Sequence, residues 1–351
     1  MRVVVFGATG NVGTSVLHAL AAEPAVASVL GVARRRPVLD VAKTDWAEAD
    51  VGADDLTGLV RGADAVVHLA WAIQPSRDLD TVWRTNVDGS TRVFKAVSEA
   101  RVPVLVYASS VGAYSPGPKD RRVDEAWPVD GVATSFYARH KAEVERRLDH
   151  FEREAGHVRV VRLRPGLIFK REAASGIRRL FAGPLLPSRL VRPELVPFVP
   201  DVVGLRFQAV HTDDVAQAYR LALLQPVRGA FNIAAEPVLD TAEIARLLDA
   251  RTVRVPASAL RRAAALTWRL RLQPTPPGWL DLAFGVPLMA TDRAQQELGW
   301  APQRSASYAL MELLAGFRER AGVDTPPLSP KTGGPLRIRE FATGVGARDV
   351  R

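Results

Sequence analysis

Val3-Val4-Val5-Phe6-Gly7-Ala8-Thr9-Gly10-Asn11-Val12-Gly13 stands at the start of the chain, and its reading decides the fold. The first four residues form an unbroken apolar run, the pattern of a strand buried on both faces. The run breaks into glycines spaced G-x-x-G-x-x-G and continues into an apolar-periodic stretch through Val16, Leu17 and Leu20, the pattern of a helix. Such a turn needs glycine because the backbone bends sharply, a phosphate must approach it closely, and helix and strand must pack tightly. Free N–H groups of the first helical turn, with the positive end of the helix dipole, then bind a pyrophosphate. A strand–helix turn without a ligand can carry the same glycines. Their place after a first strand and before a first helix favours a dinucleotide held by Gly7, Thr9, Gly10, Asn11, Val12 and Gly13.

Outward from that turn, the first half of the chain alternates strand and helix patterns, the signature of a parallel sheet covered on both faces. The expected class is α/β, a Rossmann-type doubly wound parallel sheet with a smaller lobe attached. At 351 residues and 47% hydrophobic, the chain can bury a large core. No run of 18 apolar residues predicts a membrane span, and Met1-Arg2 leads straight into the first strand with no room for a signal peptide. The absence of cysteine excludes disulfides, thiolate catalysis and cysteine zinc sites, no metal is expected, and the expected location is cytoplasmic. A net charge of +9 suits an anionic small molecule as well as nucleic acid, and no nucleic-acid motif accompanies it.

The second strand, Ser28 to Ala33, runs into Arg34-Arg35-Arg36. NAD-selective turns place a carboxylate there for the ribose 2′-hydroxyl, whereas the arginine fork of Arg34 and Arg35 matches a 2′-phosphate. NADP is therefore favoured over NAD. After a third strand comes Asp50-Val51, whose aspartate can accept from the adenine amino group. The fourth strand, from Ala65, delivers His68-Leu69-Ala70, with the histidine expected to pack beside the cofactor. A helix from about Leu79 to Ala100 carries Asn86. The fifth, Pro103 to Ala108, ends at Ser109-Ser110 before Tyr114, at the sheet edge where ligands of open parallel sheets collect. On the next helix Tyr137 and Lys141 are four apart and share a face. A lysine beside a phenol is expected to lower the phenol's pKa toward the range of a general acid/base.

Together these motifs resemble the extended branch of the short-chain dehydrogenase/reductase family, also described as NAD-dependent epimerase/dehydratase. The resemblance rests on the glycine turn, Asp50-Val51, His68-Leu69-Ala70, Thr85-Asn86-Val87-x-Gly89, Ser109-Ser110 and Tyr137-x-x-x-Lys141 leading to Glu143. Arg164-Pro165-Gly166, His211-Thr212-Asp213-Asp214, Phe231-Asn232 and Leu298-Gly299-Trp300 extend it to about Arg320. It implies that Tyr137 is the acid/base, that Lys141 holds the nicotinamide ribose and tunes Tyr137, and that Ser110 binds the reacting oxygen. It also implies that Asn86 either supports a proton relay or holds its helix, and that Leu69, Ala70 and Pro165 line the cofactor. A homodimer through the Asn86 and Tyr137 helices is also implied.

Two departures bear on the substrate, expected to be a small molecule. Nucleotide-sugar members carry an asparagine near the substrate diphosphate where this chain reads Leu167 in Arg164-Pro165-Gly166-Leu167-Ile168-Phe169-Lys170-Arg171. Leucine cannot donate to a phosphate, which turns the expectation toward a less polar carbonyl compound unless Lys170 or Arg171 takes the anion. Val111 and Gly112 replace the acidic pair of sugar dehydratases. The expected function is an NAD(P)-dependent oxidoreductase, the alternatives being a nucleotide-sugar epimerase or a non-catalytic dinucleotide sensor. Expected bounds are 1–169 for the dinucleotide domain, with the sheet revisited at 208–236, and 170–207 with 237–290 for the substrate lobe. A helical segment spans 291–321. The lobe would use Leu185, Leu186, Leu190 and Arg192, and a helix within Leu260 to Leu272; residues 322–351, without apolar periodicity, would be a mobile tail.

Overall fold

A computed structural model describes residues 1–73, 77–182 and 196–331. The first half runs β1 (Arg2–Phe6), α1 (Asn11–Ala21), β2 (Ser28–Ala33), β3 (Thr44–Glu48), α2 (Thr57–Val60), β4 (Ala65–His68), α3 (Leu79–Trp83), α4 (Gly89–Glu99), β5 (Val104–Ala108), β6 (Arg122–Val123), α5 (Phe136–Glu154) and β7 (Arg159–Pro165). The stretch expected as one helix from Leu79 is divided between α3 and α4 by a π-helical turn, Arg84–Asp88. The second half runs β8 (Leu167–Phe169), α6 (Ala174–Ile177), β9 (Phe198–Asp201), β10 (Arg206–His211), α7 (Thr212–Leu224), β11 (Gly229–Ile233), β12 (Ala235–Asp240), α8 (Thr241–Leu248), β13 (Arg251–Arg254), α9 (Ala257–Arg269), α10 (Gly278–Gly285), β14 (Leu288–Met289), α11 (Asp292–Gln296) and α12 (Ala306–Glu319).

Seven strands form one sheet in the order β11-β7-β5-β4-β1-β2-β3, and every neighbouring pair is parallel. This is the doubly wound Rossmann arrangement. Alternation along β1 explains why both faces are covered: Val3 and Val5 enter one core with Leu17 and Leu20 of α1 and Tyr219 of α7. Val4 and Phe6 enter the other, with Phe94 of α4 and Leu148 of α5. The strand order reverses between β1 and β4, so the loops leaving those two strands diverge and open a crevice at the carboxyl edge.

A smaller three-stranded sheet, β12-β10-β8, continues from β7 toward the lobe, where β9 pairs with β13. The stretch from Leu260 is helical as expected, in α9, and none of its residues is buried. Leu185, Leu186, Leu190 and Arg192 lie outside the described residues. Residues 322–331, expected to be mobile, instead form a compact turn with Thr325 and Leu328 buried; residues 332–351 lie outside the description. No helix among the described residues is long and apolar enough to cross a membrane.

Candidate active site

The glycine turn sits at the switch point and is shaped for close approach. Gly7 has φ +80°, and a Cβ there would lie 2.6 Å from the Ala70 nitrogen and 2.7 Å from the Leu69 carbonyl carbon. The loops after β1 and β4 can therefore touch only because Gly7 has no side chain. A Cβ at Gly13 would lie 2.4 Å from the Gly7 carbonyl oxygen. Gly10, the N-cap of α1, contributes no side-chain cap, which leaves the first N–H groups of an 11-residue helix for a ligand. Asn11 turns its amide away from the turn, donating to the Ile168 carbonyl at 3.3 Å and accepting from the Thr212 hydroxyl at 3.2 Å. The donor set, the dipole and the space all suit a pyrophosphate.

Beneath the same helical turn lies Lys170. Its ammonium donates to the Asn11 carbonyl at 3.0 Å, the Thr14 hydroxyl at 2.8 Å and the Ser15 hydroxyl at 3.2 Å. Burial pushes its pKa down to about 8, while the charges of Asp213 and Glu172 oppose that fall. Arg171 is engaged with Glu319. The buried Lys170 is held by these bonds, whereas the Arg171–Glu319 pair is exposed, and Leu167 is 44% exposed on β8.

Past the end of β2, Arg34 and Arg35 are exposed. Asp50 accepts from the Gly52 N–H at 2.8 Å through one carboxylate oxygen, and Val51 is buried against α4. Leu69 and Ala70 are half-buried beside Gly7, and Pro165 is buried at the end of β7. His68, expected to pack beside the cofactor, is the register partner of Phe6, the residue before Gly7. It is buried edge-on to Phe6 and Phe94, with Nε2 2.9 Å from the Ser90 hydroxyl, because β4 turns it toward α4.

Ser110, Tyr137 and Lys141 come together at the carboxyl end of β5. Ser110 caps a short 3-10 turn, its Oγ accepting from the Gly112 N–H at 3.0 Å, and both it and the Tyr137 ring crowd the same face of Gly112. A Cβ at Gly112 would lie 2.8 Å from Cε1 of Tyr137, so glycine is what lets the phenol reach the serine. The Lys141 ammonium donates to the Ala108 carbonyl at 2.6 Å and lies 3.4 Å above the Trp71 ring and 5.9 Å from the Tyr137 ring. Its expected effect on the phenol is absent. Burial pushes Tyr137 up to about 12, partly opposed by the Ser110 hydroxyl, and burial also drives Lys141 well below the ordinary lysine value, against the pull of Glu145.

Asn86 uses both ends of its amide on one residue: Oδ1 accepts from the Ala72 N–H at 2.6 Å and Nδ2 donates to the Ala72 carbonyl at 3.1 Å. That double bond pattern holds the chain leaving β4, and with it Trp71. Of the two readings open for Asn86, a proton relay or holding its helix, these bonds choose neither: they hold the Ala72 backbone.

Several residues at the site carried no sequence signal. Trp279 of α10 stacks on Tyr137 at 5.0 Å and takes the edge of Phe181 at 4.9 Å. Trp71 meets Tyr137 edge-on at 6.0 Å. Both indole N–H groups are buried without a hydrogen-bond partner among the described residues. Glu145 was legible in principle, four residues beyond Lys141. It accepts from the Ser109 hydroxyl at 2.5 Å and from Arg162 and Arg164 at 2.8 and 2.9 Å. Glu143, singled out instead, faces outward and pairs with Arg147 at 2.9 Å and with Arg146.

The sequence model of the NAD dependent epimerase/dehydratase family matches residues 3–234. An uncharacterised protein of Mycobacterium tuberculosis is 27% identical over 326 residues, covering 92% of this chain and 31% of the relative, so the chain spans about a third of that protein. The UDP-glucose 4-epimerase of Azospirillum brasilense is 28% identical over 331 residues, covering 86% of this chain and 87% of its own. The crystal structure of Thermus thermophilus UDP-glucose 4-epimerase in complex with NAD superposes with a TM-score of 0.65 at 19% identity, over 91% of this chain and 99% of that one. That likeness shows a shared fold.

Proposed function

The chain belongs to the NAD dependent epimerase/dehydratase family, the extended short-chain dehydrogenases/reductases, and on that premise we propose that it is an NAD(P)-dependent oxidoreductase acting on a carbonyl or alcohol compound with an apolar, ring-bearing body. The observation that carries the proposal is the convergence of Ser110 and Tyr137 at the sheet edge, walled by Trp71 and Trp279. When bound, the nicotinamide supplies or accepts the hydride. The glycine turn holds its pyrophosphate, and Lys141 at the end of β5 positions the adjoining ribose.

With its pKa raised to about 12, Tyr137 carries its proton at neutral pH. The protonated phenol is the form that gives its proton to a carbonyl oxygen in the reductive direction, as a phenol at its ordinary value near ~10 also would, so the shift does not itself choose the direction. The Ser110 hydroxyl, beside the phenol at Gly112, marks where that oxygen would bind. Aromatic walls exclude water and strengthen both hydrogen bonds. The two indole N–H groups beside the phenol are buried without a partner among the described residues.

Tyr137→Phe removes one oxygen and should leave the fold intact while turnover falls by about 10²–10⁴. NADPH and NADH oxidation by both proteins against a panel of cyclic ketones and aromatic aldehydes is the test. Unchanged turnover in the variant would remove the mechanism. The second reading, a nucleotide-sugar epimerase, draws on the end-to-end match to the Azospirillum enzyme. It predicts tightly retained cofactor and no net NAD(P)H consumption; Leu167 and the engaged Lys170 weigh against it.

A further inference from the structure

We propose that residues 321–331, beyond α12, are a strap that holds the glycine turn in its cofactor-binding shape, with Thr325 as the positioning residue. The inference rests on the reading of that turn as a dinucleotide site. The chain leaves α12 through Arg320 at φ +54°, with the Ala321 N–H returning to the Gly316 carbonyl at 2.9 Å. It then folds tightly: the Leu328 and Ser329 N–H groups both donate to the Thr325 carbonyl, at 3.1 and 2.8 Å. Leu328 is 4% exposed and Thr325 is 1% exposed. This is a packed element.

Two sets of contacts fix its place. On the lobe side, the Ala321 carbonyl accepts from the Ser175 N–H at 3.3 Å and the Pro327 carbonyl accepts from Arg179 at 2.6 Å. On the other side, the Thr325 hydroxyl donates to the Thr9 carbonyl at 3.0 Å, a buried hydrogen bond between residues 316 apart in sequence. Thr9 lies inside the glycine turn. A buried carbonyl left without a donor is costly, and the donor here comes from residue 325.

The consequence follows from peptide planarity. The Thr9 carbonyl and the Gly10 N–H belong to one rigid peptide unit. The N–H end is held by the Gly7 carbonyl at 3.1 Å and the carbonyl end by Thr325. Clamped from both sides, the plane cannot rotate, and it leads directly into the N–H groups that open α1. Thr325 takes the acceptor side of the turn and leaves the donor side for the anion. Holding the turn in its bound shape beforehand lowers the ordering cost of cofactor binding.

The experiment compares wild type, Thr325→Val, Thr325→Ser and a chain ending at Ala321. Hydrogen exchange of the amides of residues 8–13, measured without cofactor, should be faster in Thr325→Val and in the shortened chain, and near wild type in Thr325→Ser. Titration should give a Kd for NADPH or NADH raised about three- to tenfold in Thr325→Val, the worth of one neutral hydrogen bond. The KM for cofactor should rise in step, with kcat little changed. Unchanged exchange, or unchanged cofactor affinity despite faster exchange, would overturn the strap; so would a fall in kcat alone. Should the shortened chain fail to fold, the Val and Ser variants decide. Wild type that binds neither cofactor would overturn the proposed function, and the exchange comparison would still decide whether the strap holds the turn.

Discussion

Arg34 stands exposed one residue past β2, the place where dinucleotide turns read the adenine ribose. If it meets a 2′-phosphate, Arg34→Ala should weaken NADPH binding by about ten- to a hundredfold, the loss of one charge-assisted contact, and leave NADH binding unchanged. Titrating both cofactors into both proteins is the measurement, and equal wild-type affinity for the two would remove the NADP preference. At this scale the sequence was most legible where chemistry depends on local spacing. Ser110 and Tyr137 meet as their motifs implied, because a strand end and the next helix are forced together. What spacing could not convey was environment. A phenol and an ammonium four positions apart suggested a lowered phenol pKa, but the lysine has no effect there and burial, opposed only by the Ser110 hydroxyl, raises it to about 12. Gly112 was read only as a missing acidic residue, whereas its lack of a Cβ gives Tyr137 its place. Trp279 arrives from a lobe helix that no local pattern connects to the site.

The face of α5 that carries Tyr137 and Lys141 continues, at the same four-residue interval, to Glu145. There the helix is bound to the sheet by charge rather than by apolar packing: Arg162 and Arg164 of β7 and Ser109 at the end of β5 converge on one carboxylate. Burial opposes its ionisation, but the two guanidinium groups and the hydroxyl prevail and hold its pKa down to about 2. Removing the negative partner leaves the buried Arg164 without a carboxylate, while Arg162 keeps Asp149 and Glu152, so Glu145→Gln should cost about 3–5 kcal/mol in urea unfolding. Its turnover should also fall, because Ser109 loses the anchor of the Ser110 loop. A loss below about 1 kcal/mol would show that the cluster is solvated in solution. Strands β2 and β4 were legible because continuous apolar runs have one stable place in a parallel sheet. The π-helical turn was not, since it exists to aim Asn86 at the Ala72 backbone, a contact made outside its own helix. Residues 322–331 were misread for a related reason: their order comes from the glycine turn and the lobe, not from periodicity of their own.

Across the whole molecule, two buried histidines make stability depend on pH. Burial, with the Lys141 charge, pushes His68 down to about 3. Burial, with the Arg139 charge, pushes His140 down to about 4, where it packs against Trp83 and Phe136. In the unfolded chain both rings take up a proton near ~6.5. Below that pH the unfolded state binds two protons that the folded state refuses, so the stability these groups contribute is full above about 6.5 and falls as the pH drops. The His140 share stops falling near its folded value of about 4 and the His68 share near about 3. Each contributes a slope of about 1.4 kcal/mol per pH unit between those limits. Glu145 adds a third share of the same sign, beginning only below about 4.3 and ending near its folded value of about 2. The histidines' share of the urea unfolding midpoint should therefore be steady from about pH 8 to 7, where the buried lysines contribute instead, and decline steeply between about pH 6 and 4.5, before the carboxylate joins. His140→Phe keeps the ring packing without the titrating nitrogen, and should reduce the slope in that interval by about half while leaving the decline below pH 4. Equal midpoints at pH 7 and pH 5 in the wild type would mean that both histidines are reached by water in solution, and that the core around β4 is looser than described.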